Sequence, residues 1–246
     1  MSAPQLKRRE SDARPTFGEG VEPRHERIDV EEWEEIYVVG DVHGCRAEFE
    51  QLLDRLDLRD DELVVLVGDL VRKGPDSAGV LELVKERENV KSVLGNNEDK
   101  LVRGDKDIGL SEKLSEFVHS LPLVISWEGA MVVHGGIDPK QEYADHDPQE
   151  LLNMRAPYAE GSSYDGPFWY DDFQGPQRVF FGHTVHEAPM ERDHAVALDT
   201  GCVYGGQLTA YDYFGDDVIT VPAFETYQGR SDDKIVDTES DHSPAF

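Results

Sequence analysis

Apolar runs that end at glycine-containing polar turns dominate the first third of the chain. Residues 36–39 (Ile-Tyr-Val-Val) form such a run and stop at the turn 40–44 (Gly-Asp-Val-His-Gly). A short apolar run bounded by glycine is typical of a buried strand. Apolar residues at helical spacing between Phe49 and Leu56 then predict a helix over about 45–57. An aspartate and a histidine therefore lie on a turn from strand to helix, where ligand sites form in open α/β sheets.

The same arrangement follows twice more. Residues 63–67 predict a second strand, which ends at Asp69. Residues 90–94 predict a third strand, which ends at Asn96 and leads into a helix over about 98–103. Strands that alternate with helices in this way are parallel and joined by crossover helices. Because the carboxyl ends of parallel strands meet at one edge of a sheet, the polar side chains of the three turns are expected to converge there.

The second half of the chain is predicted to be richer in strands. The predicted strands cover 123–127, 131–133, 179–181, 195–198, 208–213 and 217–222. His134 follows the second of these runs, and His183 follows the third. A helix over about 149–155 ends at Arg155, and the loop after it is rich in aromatic residues. We interpret that loop as a lid packed over the edge of the sheet, although it could also stack an adenine ring.

The charge of the chain excludes one class of partner. Lysine and arginine number 24 and aspartate and glutamate 52, which gives a net charge of −28. Such a surface repels nucleic acid backbones and anionic membranes. The two cysteines do not indicate a disulfide scaffold, and no apolar stretch is long enough to span a membrane. We therefore expect a soluble cytoplasmic protein with no nucleic-acid or membrane partner.

One domain is expected, with polar segments at both ends. Residues 1–28 lack apolar periodicity and predict a disordered arm, and residues 226–246 predict a flexible acidic tail. The domain itself is then expected to cover residues 29–225.

The strand ends together carry a set of side chains suited to metal binding. They are Asp41, His43, Asp69, Asn96, His134 and His183. Hard oxygen and borderline nitrogen donors without a thiolate suit Mn²⁺, with Fe, Co²⁺, Zn²⁺ or Ni²⁺ as alternatives. Six side chains are too many for one catalytic metal that keeps an open position. They suit two metals about 3.5–4 Å apart, with Asp69 on the central strand as the natural bridge.

The order and spacing of these motifs resemble a known family. Gly-Asp-x-His-Gly, Gly-Asp-x-x-x-x-Gly, Gly-Asn-x-Glu, His-Gly-Gly and Gly-His-Thr follow one another as in the calcineurin-like metallophosphoesterases. Within that family the chain is most similar, over about residues 36–213, to the branch of Ser/Thr phosphoprotein phosphatases and symmetrical bis(5'-nucleosyl)-tetraphosphatases. The resemblance implies an α/β fold, a metallophosphoesterase-type β-sandwich with flanking helices and its site at the carboxyl ends of the strands.

The resemblance also implies a role for each site residue. One metal would be bound by Asp41, His43 and Asp69, and the other by Asp69, Asn96, His134 and His183. Arg155 matches an arginine that holds phosphate in the family. Lys73 stands where that branch has a second such arginine, and a lysine keeps the charge but loses the bidentate fork. With Asn97, and with Tyr204 on the floor of the site, these residues form the predicted catalytic and substrate-contacting set.

The activity implied by the resemblance is hydrolysis of a phosphoanhydride or phosphomonoester bond by a hydroxide that bridges two divalent metal ions. The substrate would be a dinucleoside polyphosphate, a nucleotide or a phosphoprotein. A bis(5'-nucleosyl)-tetraphosphatase is the first interpretation, and a Ser/Thr phosphoprotein phosphatase is the alternative. A relative that binds metal or nucleotide with little or no turnover is the alternative from another class.

The sequence departs from the family pattern where the leaving group would be protonated. Asn97 replaces the family's acid histidine, and Arg72 replaces the aspartate that orients that histidine. Asn97 can donate a hydrogen bond but cannot deliver a proton. A nucleotide phosphate leaves more easily than a serine alkoxide, so we expect phosphoanhydrides or aryl phosphates to be preferred over phosphoserine. Glu98 or Asp99 is an alternative acid, which would weaken that preference.

We expect the acidic surface to be adapted to a salt-rich cytosol, because lysines are few and acidic residues are spread along the whole chain. Added salt screens the repulsion between acidic side chains. The melting temperature should therefore rise as KCl increases to multimolar concentration, as measured by circular dichroism. Equal melting temperatures at low and multimolar KCl would contradict this expectation.

Overall fold

The structure is a computed structural model, and it describes residues 14–158 and 163–238. Within these residues the helices are α1 Arg46–Leu56, α2 Ser77–Glu86, α3 Asn96–Val102, α4 Glu112–Ser120, α5 Pro148–Asn153 and α6 Trp169–Asp172. The strands are β1 His25–Arg27, β2 Glu35–Val39, β3 Glu62–Leu66, β4 Val90–Ser92, β5 Val124–Trp127, β6 Ala130–Val132, β7 Arg178–Phe181, β8 Met190–Glu191, β9 Ala195–Ala197, β10 Gln207–Asp212 and β11 Asp217–Pro222. None of these helices has the length and hydropathy needed to cross a membrane.

The strands form two sheets. Strands β2, β3 and β4 are the parallel part of a five-stranded sheet with the order β11-β10-β2-β3-β4. Helices α1 and α2 connect these strands, so the parallel β-α-β-α-β unit predicted from the sequence is confirmed. The second sheet has six strands in the order β1-β5-β6-β7-β9-β8, and β6, β7 and β9 run parallel within it.

Alternate residues of β2 enter two different hydrophobic cores. Ile36 and Val38 lie in the core between the sheets, together with Phe180 of β7. Tyr37 and Val39 lie in the second core, which contains the apolar faces of α1 and α2. Because β2 is buried on both faces, its sequence is a continuous apolar run rather than an alternating one. The observed fold is therefore the expected α/β architecture, a β-sandwich with flanking helices.

Four elements of the structure are not predicted by the sequence pattern, namely β1, α4, α6 and β8. Strands of two or three residues, such as β8 and β1, are too short to show a periodicity. Helix α4 buries only Leu114 and Val118 on its apolar side. Helix α3 begins at Asn96, two residues before the predicted start, because Glu98 accepts a hydrogen bond from Gly95 N at 2.9 Å and closes the first turn.

The predicted disordered arm is wrong for its described part, residues 14–28. Val21 is fully buried, and β1 pairs in parallel with β5 at the edge of the six-stranded sheet. The arm is held by isolated apolar anchors and by backbone hydrogen bonds, neither of which produces a periodic pattern. Residues 1–13 lie outside the described part of the chain.

The predicted flexible tail is likewise wrong for residues 226–238. Val236 is buried, and its backbone N donates to Val185 O at 2.8 Å. Closer to the last strand, Tyr227 donates from its hydroxyl to the buried carboxylate of Glu48 at 2.9 Å. These contacts lie far apart in sequence, so they leave no local signal. Residues 239–246 lie outside the described part.

The aromatic loop after α5 packs onto the second sheet at the carboxyl ends of β6 and β7. Trp169 donates from Nε1 to Gly135 O at 3.1 Å, and the ring of Tyr170 lies 5.4 Å from that of Phe181 in β7. The rings of Trp169 and Tyr170 are buried and contribute to packing. Tyr164, earlier in the loop, is only half-buried.

Candidate metal centre

The predicted metal-binding side chains all lie at one edge of the sandwich, at the carboxyl ends of parallel strands from both sheets. Asp41 and His43 follow β2, Asp69 follows β3, Asn96 follows β4, His134 follows β6, and His183 follows β7. The five-stranded sheet thus contributes mainly oxygen donors, and the six-stranded sheet contributes imidazoles. The face-to-face packing of the sheets brings the two groups together.

Asp69 lies at the centre of this set. His43 Nε2 lies 3.4 Å from one carboxylate oxygen of Asp69, and His134 Nε2 lies 3.4 Å from the other. Asp41 Oδ2 lies 3.7 Å from His43 Nε2. Ligand atoms of Asp41, Asp69 and His134 all lie within 4.8 Å of one another. A carboxylate with an imidazole nitrogen at each oxygen has the arrangement that a bridge between two cations requires.

Two buried imidazole nitrogens in the centre lack a protein partner. His134 Nδ1 lies 2.8 Å from Val67 O, which assigns the ring proton to Nδ1 and leaves a lone pair on Nε2. Nε2 of His134 and Nε2 of His183 are buried without a hydrogen-bond partner in the described part of the chain. Unpaired buried polar atoms are costly, and a bound cation would satisfy both. The donor set therefore fits a divalent metal.

Burial keeps the imidazoles neutral. It lowers the pKa of His43 to about 3, lowers the pKa of His134, and lowers the pKa of His183 well below the usual histidine range. Burial, together with the charge of Asp199, raises the pKa of Asp41. Neutral imidazoles offer a lone pair to a metal, and a cation beside Asp41 would favour its ionised form.

Three of the predicted metal ligands have an unusual backbone conformation. The φ angle is 49° at His43, 52° at Asp69 and 66° at His183. A left-handed residue other than glycine costs about 1–2 kcal/mol. Such strain persists at functional sites where the surrounding structure enforces it. Close packing helps to hold these turns in place, because a Cβ atom on Gly182 would lie 1.9 Å from Asp41 Oδ1.

A buried glutamate, Glu98, joins two of these turns. One of its oxygens accepts hydrogen bonds from Asp69 N and Gly95 N, both at 2.9 Å, and the other accepts from Val71 N at 3.0 Å. Burial and the charge of Asp69 raise the pKa of Glu98 to about 8, against the lowering effect of the three donors. Because both oxygens face backbone groups, Glu98 positions the Asp69 turn and is directed away from any substrate.

Asn97 and Arg72 contact each other. They stand where the calcineurin-like metallophosphoesterases that the motifs resemble have an acid histidine and the aspartate that orients it. Arg72 Nη1 donates to Asn97 Oδ1. Asn97 Nδ2 donates in turn to Asp69 Oδ2 at 2.5 Å and to Asn96 Oδ1 at 3.0 Å. The amide therefore orients two predicted metal ligands, and a permanent cation fixes the orientation of the amide.

The predicted phosphate contacts are half-buried around the centre. Lys73 Nζ lies 2.6 Å from His43 Nε2 and 5.2 Å from the ring centroid of Tyr204. One lone pair of His43 cannot serve Lys73 and a metal together, so metal binding by His43 requires Lys73 to withdraw toward Tyr204. The Arg155 guanidinium lies 4.8 Å from the ring of Tyr164, and Arg155 Nε is buried without a partner among the described residues.

Two roles near the centre are missed by sequence reasoning. The sequence motifs suggest Glu98 only as an alternative acid, although its place three residues after Gly95 matches a capping box and indicates a structural role. Arg230 lies in the segment predicted as a tail, yet its guanidinium lies 4.7 Å from the Tyr204 ring centroid. Strand-end spacing cannot reveal a residue that reaches the site from outside the sheets.

Comparison with known proteins agrees with this geometry. A family model described as calcineurin-like phosphoesterase matches residues 35–187, more than half of the chain. This chain belongs to the calcineurin-like phosphoesterase family. The family consists of metal-dependent phosphoester hydrolases, so the resemblance in the motifs and the enzyme class inferred from it are confirmed.

Curated relatives of this phosphoesterase are similar over most of its length. Bis(5'-nucleosyl)-tetraphosphatase PrpE (asymmetrical) of Bacillus cereus strain AH820 is 26% identical over 232 residues, covering 76% of this chain and 93% of the relative. The protein of the same name from Bacillus thuringiensis strain Al Hakam is 25% identical with the same coverage. These names specify asymmetrical cleavage, whereas the motifs resemble those of symmetrical enzymes.

Solved structures share the fold. The crystal structure of a candidate diadenosine tetraphosphatase superposes with a TM-score of 0.75 and 31% identity, covering 82% of this chain and 99% of that one. A serine/threonine protein phosphatase of Saccharomyces cerevisiae gives a TM-score of 0.58 at 17% identity, covering 85% of each chain. The second similarity is one of fold alone.

The contact between Gly182 and Asp41 predicts a specific effect on metal binding. In Gly182→Ala the added Cβ collides with Asp41 Oδ1 and displaces that carboxylate. We expect the affinity for Mn²⁺, measured by isothermal titration of metal-depleted protein, to fall by about tenfold or more.

Gly20→Ala is the matched control, because the nearest atom to its added Cβ is Pro148 Cδ at an ordinary 3.6 Å. It should bind Mn²⁺ like the unmodified protein. A folded Gly182→Ala variant with unchanged Mn²⁺ affinity would show that the Asp41 carboxylate is not part of a metal site.

Proposed function

We propose that this phosphoesterase hydrolyses phosphoanhydride bonds in dinucleoside polyphosphates or nucleotides, using two divalent metal ions of which Mn²⁺ is the first choice. The observation that carries the proposal is the Arg72–Asn97 pair beside Asp69. It places a fixed cation and an amide, rather than a proton donor, next to the metal centre. A reaction whose leaving group needs no proton suits such a site.

The ligand assignment of this proposal follows the geometry around Asp69. Asp41, His43 and Asp69 would hold one metal, and Asp69, Asn96, His134 and His183 would hold the other. The two carboxylate oxygens of Asp69 face different histidines, which supports its role as the bridge. The unpartnered Nε2 atoms of His134 and His183 support the second set.

Each charged residue around the centre has a task in the proposed reaction. The metals, when bound, supply Lewis acidity that activates a water molecule and withdraws charge from the phosphate. Arg155 and Lys73 would bind nonbridging phosphate oxygens and orient the phosphorus for in-line attack. Burial lowers the pKa of Arg155, but a guanidinium stays protonated at neutral pH. Its unpartnered Nε supports this role.

The leaving group would be stabilised by charge and not by protonation. Arg72 holds Asn97 and is permanently charged, so this pair can balance negative charge on a departing phosphate. The alternative acids are engaged elsewhere: Glu98 accepts three backbone hydrogen bonds, and Asp99 pairs with Arg103 Nε at 2.9 Å. A serine alkoxide would leave without a proton from this site, which disfavours phosphoserine.

A cleft beside the centre has room for a nucleoside. It measures about 410 Å³ and runs along α5 past Asn153, Met154 and Arg155 to Pro157. Arg155 lines the cleft, and its charge acts on His134 and His183 of the centre, so a nucleotide could place its base in the cleft and its phosphates toward the metals. The names of the Bacillus relatives and of the superposing crystal structure support a dinucleoside polyphosphate as substrate.

Substrate preference tests the proposed function. With Mn²⁺ present, kcat/KM for diadenosine tetraphosphate should exceed that for a phosphoserine peptide by about a hundredfold or more, the range associated with a missing general acid. Chromatography of the products identifies the bond that is cleaved, since symmetrical cleavage yields two ADP and asymmetrical cleavage yields ATP and AMP.

Asp69→Asn should abolish turnover, because the amide loses the charge that the proposed bridge needs. Asp61→Asn is the matched control: Asp61 is exposed and immediately precedes β3, at the opposite end of the strand. Faster turnover of the phosphoserine peptide would overturn the anhydride preference, and full activity of Asp69→Asn would overturn the two-metal assignment.

A further inference from the structure

Three cations and two aromatic rings form a continuous cluster beside the metal centre. Lys73 Nζ lies 5.2 Å from the ring centroid of Tyr204, and the Arg230 guanidinium lies 4.7 Å from the same ring. Arg230 also lies 5.6 Å from the ring of Tyr164, over which Arg155 lies at 4.8 Å. The order Lys73, Tyr204, Arg230, Tyr164, Arg155 thus runs around the centre. We call these five residues the cationic rim.

The cationic rim is unusual in a chain with a net charge of −28. Within the described residues, none of the three cations has a carboxylate oxygen within 4.0 Å, and the arginine and lysine ion pairs found there involve other residues. Arg230 donates instead to neutral oxygens, Tyr164 Oη at 3.1 Å and Lys234 O at 2.9 Å. Cations held close together, with no described carboxylate in direct contact, attract an anion that carries several charges.

Arg230 is brought to the rim by the segment after the last strand. Phe224 N and the Tyr227 hydroxyl both donate to Glu48 Oε1 at 2.9 Å, and Gln228 N donates to Val203 O at 3.0 Å. These anchors to Glu48 in α1 and to Val203 fix the path of the segment that carries Arg230. Arg230 is therefore a placed side chain and not one that samples solvent freely.

The charge of Arg230 also reaches two groups near the centre, Asp199 and Arg155. Burial raises the pKa of Asp199, next to the metal-binding turns, and the charge of Arg230 is among the influences that lower it again. Burial lowers the pKa of Arg155, and Arg230 lowers it further. Two guanidiniums that repel each other across Tyr164 would both gain from an anion placed between them.

We propose that Arg230, with Tyr164 and Tyr204, forms a subsite for the two phosphates that follow the reacting phosphate of a polyphosphate chain held at the metal centre. The identity of the reacting phosphate rests on the proposed function, whereas the preference for a run of at least three phosphates rests on the rim alone. A single phosphate bound at Arg155 and Lys73 leaves Arg230 unused. Arginine forks bind phosphates through paired hydrogen bonds. Among the described residues, Arg230 donates from Nε and Nη2 only, so Nη1 is available to a phosphate.

Binding of inorganic tripolyphosphate and of orthophosphate to the full chain tests the subsite without any turnover. Both are titrated calorimetrically in the presence of EDTA, which prevents hydrolysis and metal complexation. Removal of one charge-assisted contact in Arg230→Gln should weaken tripolyphosphate binding by about tenfold and leave orthophosphate binding nearly unchanged. Arg87→Gln is the matched control, because Arg87 is exposed and precedes β4 at the opposite end of the sheet.

Two further measurements separate a ligand contact from a structural one. Arg230→Lys keeps the charge but loses the fork, so its affinity for tripolyphosphate should lie between those of the unmodified chain and of Arg230→Gln. With Mn²⁺ bound, Arg230→Gln should raise KM for diadenosine tetraphosphate and leave KM for p-nitrophenyl phosphate unchanged. A purely structural contact would lower the melting temperature and weaken both anions alike.

Equal tripolyphosphate affinity in Arg230→Gln and the unmodified chain would overturn the subsite, as would equal losses for tripolyphosphate and orthophosphate. If the unmodified chain does not hydrolyse diadenosine tetraphosphate but Arg230→Gln selectively loses tripolyphosphate binding, the proposed function is overturned and the subsite is upheld. If the unmodified chain hydrolyses diadenosine tetraphosphate but Arg230→Gln shows no selective loss, the proposed function is upheld and the subsite is overturned.

Discussion

The carboxylate of Asp69 is buried where the two sheets meet, and the site depends on how that charge is compensated. Its oxygens face His43 and His134, its backbone N–H donates to Glu98, and Asn97 donates to it from both backbone and side chain. These partners come from both sheets and from the start of α3. A shift of one sheet over the other would separate the carboxylate from an imidazole. The packing of the two sheets therefore fixes the geometry of the site.

The same constraint explains the local features around the centre. Glycine at position 182 leaves space that Asp41 fills, and Glu98 ties the Asp69 turn to the start of α3. The buried carboxylates need nearby positive charge, and the imidazoles are neutral because burial lowers their pKa values. Cations bound between them would offset both the charge and the unpaired nitrogens. The donor set of the centre thus fits divalent metal ions.

The charged residues around the centre are suited to binding negative charge rather than to transferring a proton. Arg72 fixes Asn97, and the rim adds three cations that lack carboxylate partners among the described residues. In a chain with 52 acidic residues, cations gathered beside the centre attract polyanions to that place. The same cations would serve both to stabilise a leaving phosphate and to bind a phosphate chain.

Local sequence signals predicted the strands and the set of strand-end side chains well, since glycine turns and continuous apolar runs such as 63–67 report burial on both faces. The convergence of Asp41 and Asp69 follows from parallel order alone. The sequence could not reveal β1, because a strand of three residues is too short to show a periodicity. Arg230 was equally hidden, because its position depends on anchors such as Glu48, far away in the chain.

The central claim is that Asp69 bridges two metal ions. Anomalous diffraction at the manganese edge, from crystals of the full chain grown with Mn²⁺, tests it most directly. The account predicts two anomalous peaks, one on the side of Asp69 that faces His43 and one on the side that faces His134. A single peak, or peaks away from the Asp69 carboxylate, would contradict it.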